Sequence, residues 1–179
     1  MMWLSSPFIK WGALALLAAL PYSRSVESYR VPPVTLIDSN GRHVALPASI
    51  DREGPVMLQF IFTTCTTICP VMSATLAASH RQLEGVRMIS ISIDPEHDTP
   101  ARLQEYARGL KAPPEWQFLT GSVNDIVAVQ EAFRANPGNK MRHLPLTFLR
   151  ASPEQRWVRL DGLMSVAQLV SEYHRLVHR

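Results

Sequence analysis

Two cysteines with three residues between them are the only thiols of this chain: Cys65 and Cys69, in the run Phe62-Thr63-Thr64-Cys65-Thr66-Thr67-Ile68-Cys69-Pro70. Two sulfurs at this spacing can hold a soft metal, exchange a disulfide or brace the fold. A dithiol of the redox type usually has two intervening residues; here there is one more. If both cysteines were helical, their Cβ atoms would stand roughly 5–6 Å apart as i, i+4 neighbours. A disulfide needs about 3.5–4.5 Å, so it would require a distorted first turn. A bridging ion would not, and thiolates select Cu(I) or Zn(II). Pro70 points instead to a helix starting near Cys69 with Cys65 still in the loop. The free N–H groups at a helix start favour thiolate in either role.

Two sulfurs alone make an open site, so a third ligand is expected from the histidines: His43, His80, His97, His143, His174 and His178. His174 and His178 are i, i+4 on the last predicted helix, with no third ligand evident, and read as surface. His43 falls in a hairpin and His80 on a polar helix face. His97 follows a strand in Asp94-Pro95-Glu96-His97-Asp98-Thr99-Pro100. His143 directly precedes the predicted strand Leu146–Leu149. If that strand neighbours Val56–Phe62, His143 lies beside the cysteine loop. Met72 and Met141 carry thioethers that could ligate, although both read first as core filling. Activation of one thiol for peroxidase chemistry would need a nearby base. None stands within ten residues before Cys65 or after Cys69.

The elements that must position these groups follow from periodicity. Val34–Asp38 and His43–Leu46 read as a hairpin about Asn40-Gly41, which supplies the positive φ of a tight turn. Val56–Phe62 is a nearly continuous apolar run, the mark of a strand buried on both faces. Helical spacing follows from Val71 to Leu83, and a second strand spans Val86–Asp94. Thr99 and Pro100 read as N-cap and first residue of a helix reaching Leu110. A short strand at Trp116–Leu119 leads to a helix from Ser122 or Val123 to Phe133. Strands at Leu146–Arg150 and Arg156–Leu160 flank a turn. Ser165–His178 closes the chain as an amphipathic helix. This alternation predicts an α/β layer fold around a central mixed sheet.

At 179 residues and 46% hydrophobic, the chain suits one domain with a full core. Residues 1–25 carry Lys10 and Arg24 and no acid, so the remainder holds 16 basic against 15 acidic residues. That near-neutral balance gives no reason to expect a nucleic-acid partner, despite a pI near 9.1. The N-terminus reads as a targeting segment: Lys10, then the uncharged run Trp11–Leu20, then Pro21. The run is shorter than the roughly 20 apolar residues a spanning helix needs and suits a signal peptide. We therefore expect residues 1–25 to be a signal peptide or N-terminal membrane anchor and residues 26–179 the folded domain. Export would place the thiols in an oxidising compartment.

Three motifs in order resemble the Sco/SenC family. They are Phe60–Pro70 with its C-x-x-x-C-P, the strand Ile89–Asp94 running into D-P-x-x-D-T, and Arg142-His143 ahead of an apolar strand. The likeness covers about Tyr29 to Arg179. It implies a thioredoxin-like three-layer fold with an additional N-terminal β-hairpin. It implies copper, Cu(I) or Cu(II), held by Cys65, Cys69 and His143. Asp94 would then lie just outside the ligands, and Asp98 reads as a turn or cap residue. The implied activity is assembly of the binuclear copper centre of cytochrome c oxidase, on the outer face of a bacterial inner membrane or in the periplasm. The implied partner is the copper-centre subunit of that oxidase or a similar exported copper protein. A thiol-disulfide reductase acting on such a protein's cysteines is the alternative, with Cys65 and Cys69 redox-active and a thioredoxin-like reductant behind them. Three features depart from the family pattern. The apolar run is short for a membrane anchor. The stretch before His143, Asn136–Met141, is compact and basic. Leu144-Pro145 resembles the cis-proline that faces the cysteines in thioredoxins.

Overall fold

A computed structural model describes residues 21–136 and 138–178. The expected targeting run Trp11–Leu20 lies outside the described residues. The elements are β1 (Ser23–Glu27), β2 (Thr35–Asp38), β3 (His43–Ala45), α1 (Leu46–Ile50), β4 (Val56–Ile61), α2 (Ile68–Ser79), β5 (Arg87–Ser92), α3 (Pro100–Gly109), β6 (Gln117–Thr120), α4 (Val123–Ala132), β7 (Leu146–Arg150), β8 (Trp157–Asp161) and α5 (Val166–Val177). Short 3₁₀ turns occupy His80–Gln82 and Lys140–Arg142. Eight strands form one mixed sheet in the order β1-β8-β7-β4-β5-β6-β2-β3. Among the described residues, no helix is long and apolar enough to cross a membrane.

The centre is β4, parallel to β5 and antiparallel to β7. All six of its residues are buried, as its unbroken apolar run requires. Register separates the two faces. Thr147, Gln59, Ser90 and Phe118 form one row across β7, β4, β5 and β6. That face is covered by α2, α3 and α5. Gln59 donates to Ser73 of α2 at 3.2 Å, and Tyr106 of α3 reaches the same hydroxyl at 3.0 Å. Thr75 of α2 donates to the Met164 carbonyl just before α5. On the opposite face, Phe133 at the end of α4 packs edge-on against Phe60, Phe148 and Trp157, with ring centroids 5.2–6.1 Å apart. Ser49 of α1 meets Gln117 on that same face. Helices therefore lie on both sides of the sheet, and the expected three-layer α/β fold with a mixed sheet is present.

One local expectation needs correction. The sheet contains a strand ahead of the hairpin: β1 pairs antiparallel with β8, Ser23 opposite Asp161 through Glu27 opposite Trp157. Tyr22, Arg24 and Ser25 thus belong to the ordered fold, although they read as the tail of a leader. Their anchor is Glu172 of α5, buried, which accepts from Tyr22 Oη at 2.6 Å and Arg24 Nε at 2.9 Å. Gly162 is required here. A Cβ at that position, φ +133°, would come within 2.6 Å of the Pro21 carbonyl. As Pro70 indicated, α2 starts close to Cys69, at Ile68, which takes Cys69 into its first turn and leaves Cys65 in the loop. Other boundaries agree closely. Thr99 caps α3, accepting from the Arg102 N–H, and Ser165 caps α5 in a full capping box with Gln168.

β4 marks the point where the chain turns to opposite sides of the sheet, with β5 and β6 on one flank and β7 and β8 on the other. Clefts in open α/β sheets form beyond the carboxyl ends of strands at such a switch. The loop after β4 carries both cysteines.

Candidate metal centre

Backbone geometry resolves the cysteine spacing. Cys65 lies in the loop, its N–H bonded to the Phe62 carbonyl at 3.1 Å. Cys69 is the second residue of α2. The residue ahead of that helix, Thr67, offers no side-chain cap. Instead the Cys69 N–H points at Cys65 Sγ, 3.5 Å away, and Thr67 Oγ1 lies 3.6 Å from the same sulfur. A thiol sulfur thus takes the place of the missing helix cap. Pro70 falls in the first turn, where its lack of an N–H leaves no orphan donor. Both thiols are free, Cys69 fully buried and Cys65 nearly so.

The two sulfurs have opposite electrostatics. Burial pushes the Cys65 thiol up, but the N–H groups of Cys69 and Thr67 outweigh it and leave its pKa lowered. Burial pushes the Cys69 thiol far up, and the neighbouring Cys65 adds to that. Cys65, which keeps slight exposure, is the more acidic of the two sulfurs, and Cys69 is fully enclosed.

His143 arrives from the other side of β4. The antiparallel register that sets Thr147 opposite Gln59 carries His143 back alongside the loop after β4. Its ring stands edge-on to Phe62, centroids 6.1 Å apart. It is 8% exposed. Burial lowers its pKa, opposed by a hydrogen bond to the Phe60 backbone. Its Nε2 is buried with no hydrogen-bond partner. The unprotonated nitrogen of a buried neutral imidazole is an acceptor, and left without a donor its lone pair is unsatisfied; soft cations take such nitrogens together with thiolates.

These residues share a cleft of about 210 Å³ lined by Phe62, Thr64, Cys65, Lys140, Met141 and His143 among others. They do not converge: among the described residues, no three His, Cys, Asp or Glu side chains are gathered closely enough to hold an ion. Cys69 does not line the cleft. The donor types, two sulfurs and an imidazole nitrogen, fit a soft cation.

The remaining candidates separate cleanly. His97 is turned onto Asp94, Nδ1 to Oδ1 3.0 Å, with its side chain 56% exposed. His80 pairs with Glu115 at 2.8 Å. His174 and His178 stack on each other on α5. His43 is exposed. Met72 is core, as expected, but Met141 is not: at 76% exposed it stands at the cleft rim. The Leu144–Pro145 bond is trans, unlike the cis-proline it resembled.

Asp94 and Asp98 are both buried. Asp94 meets Lys140 Nζ at 2.6 Å as well as His97. Burial raises its pKa, yet Lys140 and His97 together hold it below the usual carboxylate range. Asp98 is more than the local turn residue expected. It accepts from the Thr63 N–H at 3.0 Å, Thr63 Oγ1 at 2.5 Å and Ser92 Oγ at 2.6 Å, tying the cysteine loop to the end of β5. The sequence signal for this was an acid four residues after Asp94 at a strand end, which reads equally as a cap.

Comparison with known proteins places the chain among relatives of one family and fold. A sequence model of the SCO1/SenC family matches residues 25–178. The SCO1 protein homolog of Bacillus subtilis is 39% identical over 100 residues, 52% of this chain and 50% of that protein. The chain thus spans about half the length of such relatives. The solved structure of BsSco, "a member of the Sco family of cytochrome c oxidase assembly proteins" with a disulfide switch, superposes with TM-score 0.68 at 27% identity, covering 84% of this chain and 95% of that one. Arabidopsis thaliana ScoI with copper bound gives TM-score 0.67 at 26% identity, covering 81% and 96%.

Proposed function

The chain belongs to the SCO1/SenC family, and we propose that it is a copper metallochaperone that helps assemble the binuclear copper centre of cytochrome c oxidase. Cys65, Cys69 and His143 would hold the copper. The observation that carries this reading is His143 Nε2, buried and unpartnered, in the same cleft as Cys65. The copper-bound Arabidopsis relative supports the choice of metal. The short apolar run at residues 11–20 supports export to the periplasm or the periplasmic membrane face.

Each residue has a distinct task. Cys65, with its lowered pKa, yields its proton to the incoming ion more readily than Cys69 does. Cys69 gives up its proton only as it binds, so uptake releases protons. His143, kept neutral by burial, adds its nitrogen without first losing a proton. The site has no fourth protein ligand assigned, which leaves the ion open to attack by a recipient's sulfur or nitrogen.

The sulfur asymmetry favours a second reading, thiol-disulfide exchange. Cys65 thiolate would attack a disulfide in the recipient copper protein, releasing one partner thiolate. Cys69, deprotonated, would then attack Cys65 Sγ of the mixed disulfide. The Cys65–Cys69 disulfide closes, and two electrons have passed to the partner's dithiol. A thioredoxin-like reductant would reset it.

Anaerobic copper titration of the reduced protein, wild type against His143→Ala, separates these readings, with coordination read by X-ray absorption. One copper per monomer, lost or markedly weakened without His143, is expected. Reduced wild-type protein that surrenders all copper to a modest chelator would sink the chaperone reading and leave exchange standing.

A further inference from the structure

We infer that the turn 94–98 is a jig holding the cysteine loop and the histidine loop in register, and that Lys140 is the positioning residue through which it sets His143. The inference deepens the copper-site reading above and rests on it. One turn carries two buried carboxylates, and each grips a different loop. Asp98 receives both the N–H and the hydroxyl of Thr63, two residues before Cys65. Asp94 receives Lys140 Nζ at 2.6 Å, three residues before His143. Lys140 then passes the constraint along the backbone: its carbonyl accepts the His143 N–H at 3.0 Å. The turn itself is fixed, since the Asp94 carbonyl accepts the N–H groups of His97 and Asp98, and Ser92 Oγ accepts the Asp94 N–H.

The histidine loop needs such a hold. Its 3₁₀ turn is capped only by Asn139, which accepts from the Met141 N–H at 2.9 Å. Met141 and Leu144, on either side of His143, are exposed and contribute no core anchor. Among the described residues, the loop's side chains reach other elements through the Lys140–Asp94 pair and the hydrogen bond of the His143 ring to the Phe60 backbone, and only the first of these is an ion pair. Surface ion pairs contribute little, but this acceptor is buried, with Asp94's side chain 5% exposed, and the bond is short and charge-assisted. Lysine beside a cation site also makes the inference discriminating. As a bare charge Lys140 would repel copper, so its removal would tighten binding. As a positioning residue it orients His143, so its removal loosens binding.

The test uses the full chain, reduced and anaerobic, with Lys140→Leu, Lys140→Arg, His143→Ala and the Lys140→Leu/His143→Ala double variant. Cu(I) affinity is read by competition with a chelator, and hydrogen exchange at the His143 amide is read in metal-free protein. Lys140→Leu is expected to weaken copper binding about tenfold, the low end for loss of a partner just outside the ligands. The double variant should bind no more weakly than His143→Ala alone. The His143 amide should exchange faster in Lys140→Leu, and Lys140→Arg should restore both readouts. Binding by Lys140→Leu as tight as or tighter than wild type, with His143 exchange unchanged, overturns the inference. If His143→Ala binds copper like wild type, the three-ligand reading has failed instead, and amide exchange in metal-free protein still decides whether Lys140 holds the loop.

Discussion

At the scale of single residues, the site is defined by asymmetry between chemically identical groups. Cys65 and Cys69 differ because one sulfur receives N–H groups at the start of α2 and the other is sealed beneath them. Iodoacetamide at neutral pH should therefore label Cys65 in the folded, reduced protein well before Cys69, as peptide mass spectrometry would record. Equal labelling rates would contradict the assignment. His143 gives a second prediction. Its folded pKa lies below the ordinary value of 6.5 because burial penalises the imidazolium. Below about 6.5 the unfolded chain takes up a proton that the folded chain resists. The group is thus neutral in its effect above that pH, and stability falls as pH drops through the interval beneath it. His143→Ala should flatten this part of a denaturation-against-pH profile; an unchanged slope would count against the buried neutral ring. The cysteines and His143 were legible as residue types and spacings. Asp98 and Met141 were misassigned because sequence shows that an acid or a thioether is present, not whether it faces a loop, the core or a cleft.

At the scale of elements, strong periodicity was legible and weak polarity was not. β4 declared itself by six buried positions in a row, and α3 and α5 by their caps. β1 did not, because Ser23-Arg24-Ser25-Val26-Glu27 has little apolar content and adjoins a run that reads as a leader. Its hold on the sheet comes from partners far away in sequence: β8 for its ladder and Glu172 for its side chains. That arrangement makes β1 energetically necessary. Glu172 is 2% exposed and is satisfied by Tyr22, Arg24 and Arg175. Arg24→Ala removes one charged partner and should cost about 1–3 kcal/mol. A chain beginning at residue 26 loses Tyr22 as well and should cost more, about 3–5 kcal/mol, the range for a buried charge stripped of its partners. Urea denaturation of the two variants would measure both. If the shortened chain matches full-length stability, β1 is ornamental and the domain starts at residue 26 after all.

At the scale of the whole molecule, the sulfurs are buried in the core, but the contacts that join its layers are made by other side chains. The packing that joins the layers is aromatic and polar: Phe60, Phe133, Phe148 and Trp157 on one face, and Gln59, Ser73, Ser90, Tyr106 and Trp116 on the other. Closing Cys65 to Cys69 would enclose so short a loop that the chain-entropy gain is at most about 2 kcal/mol. A bracing role would require far more from these residues than this. Cys65→Ser combined with Cys69→Ala should therefore leave the reduced fold intact, with a loss under about 2 kcal/mol, mostly from the methyl-sized gap at Cys69. Copper should discriminate more sharply. A ligand that binds only the folded state stabilises it by about 2.7 kcal/mol at a hundredfold excess over Kd. Thermal unfolding of reduced wild type should shift upward with added Cu(I), while the double-cysteine variant should not shift at all. A large loss of stability without copper, and no copper-dependent shift in the wild type, would return the cysteines to the role of a brace and remove the case for a chaperone.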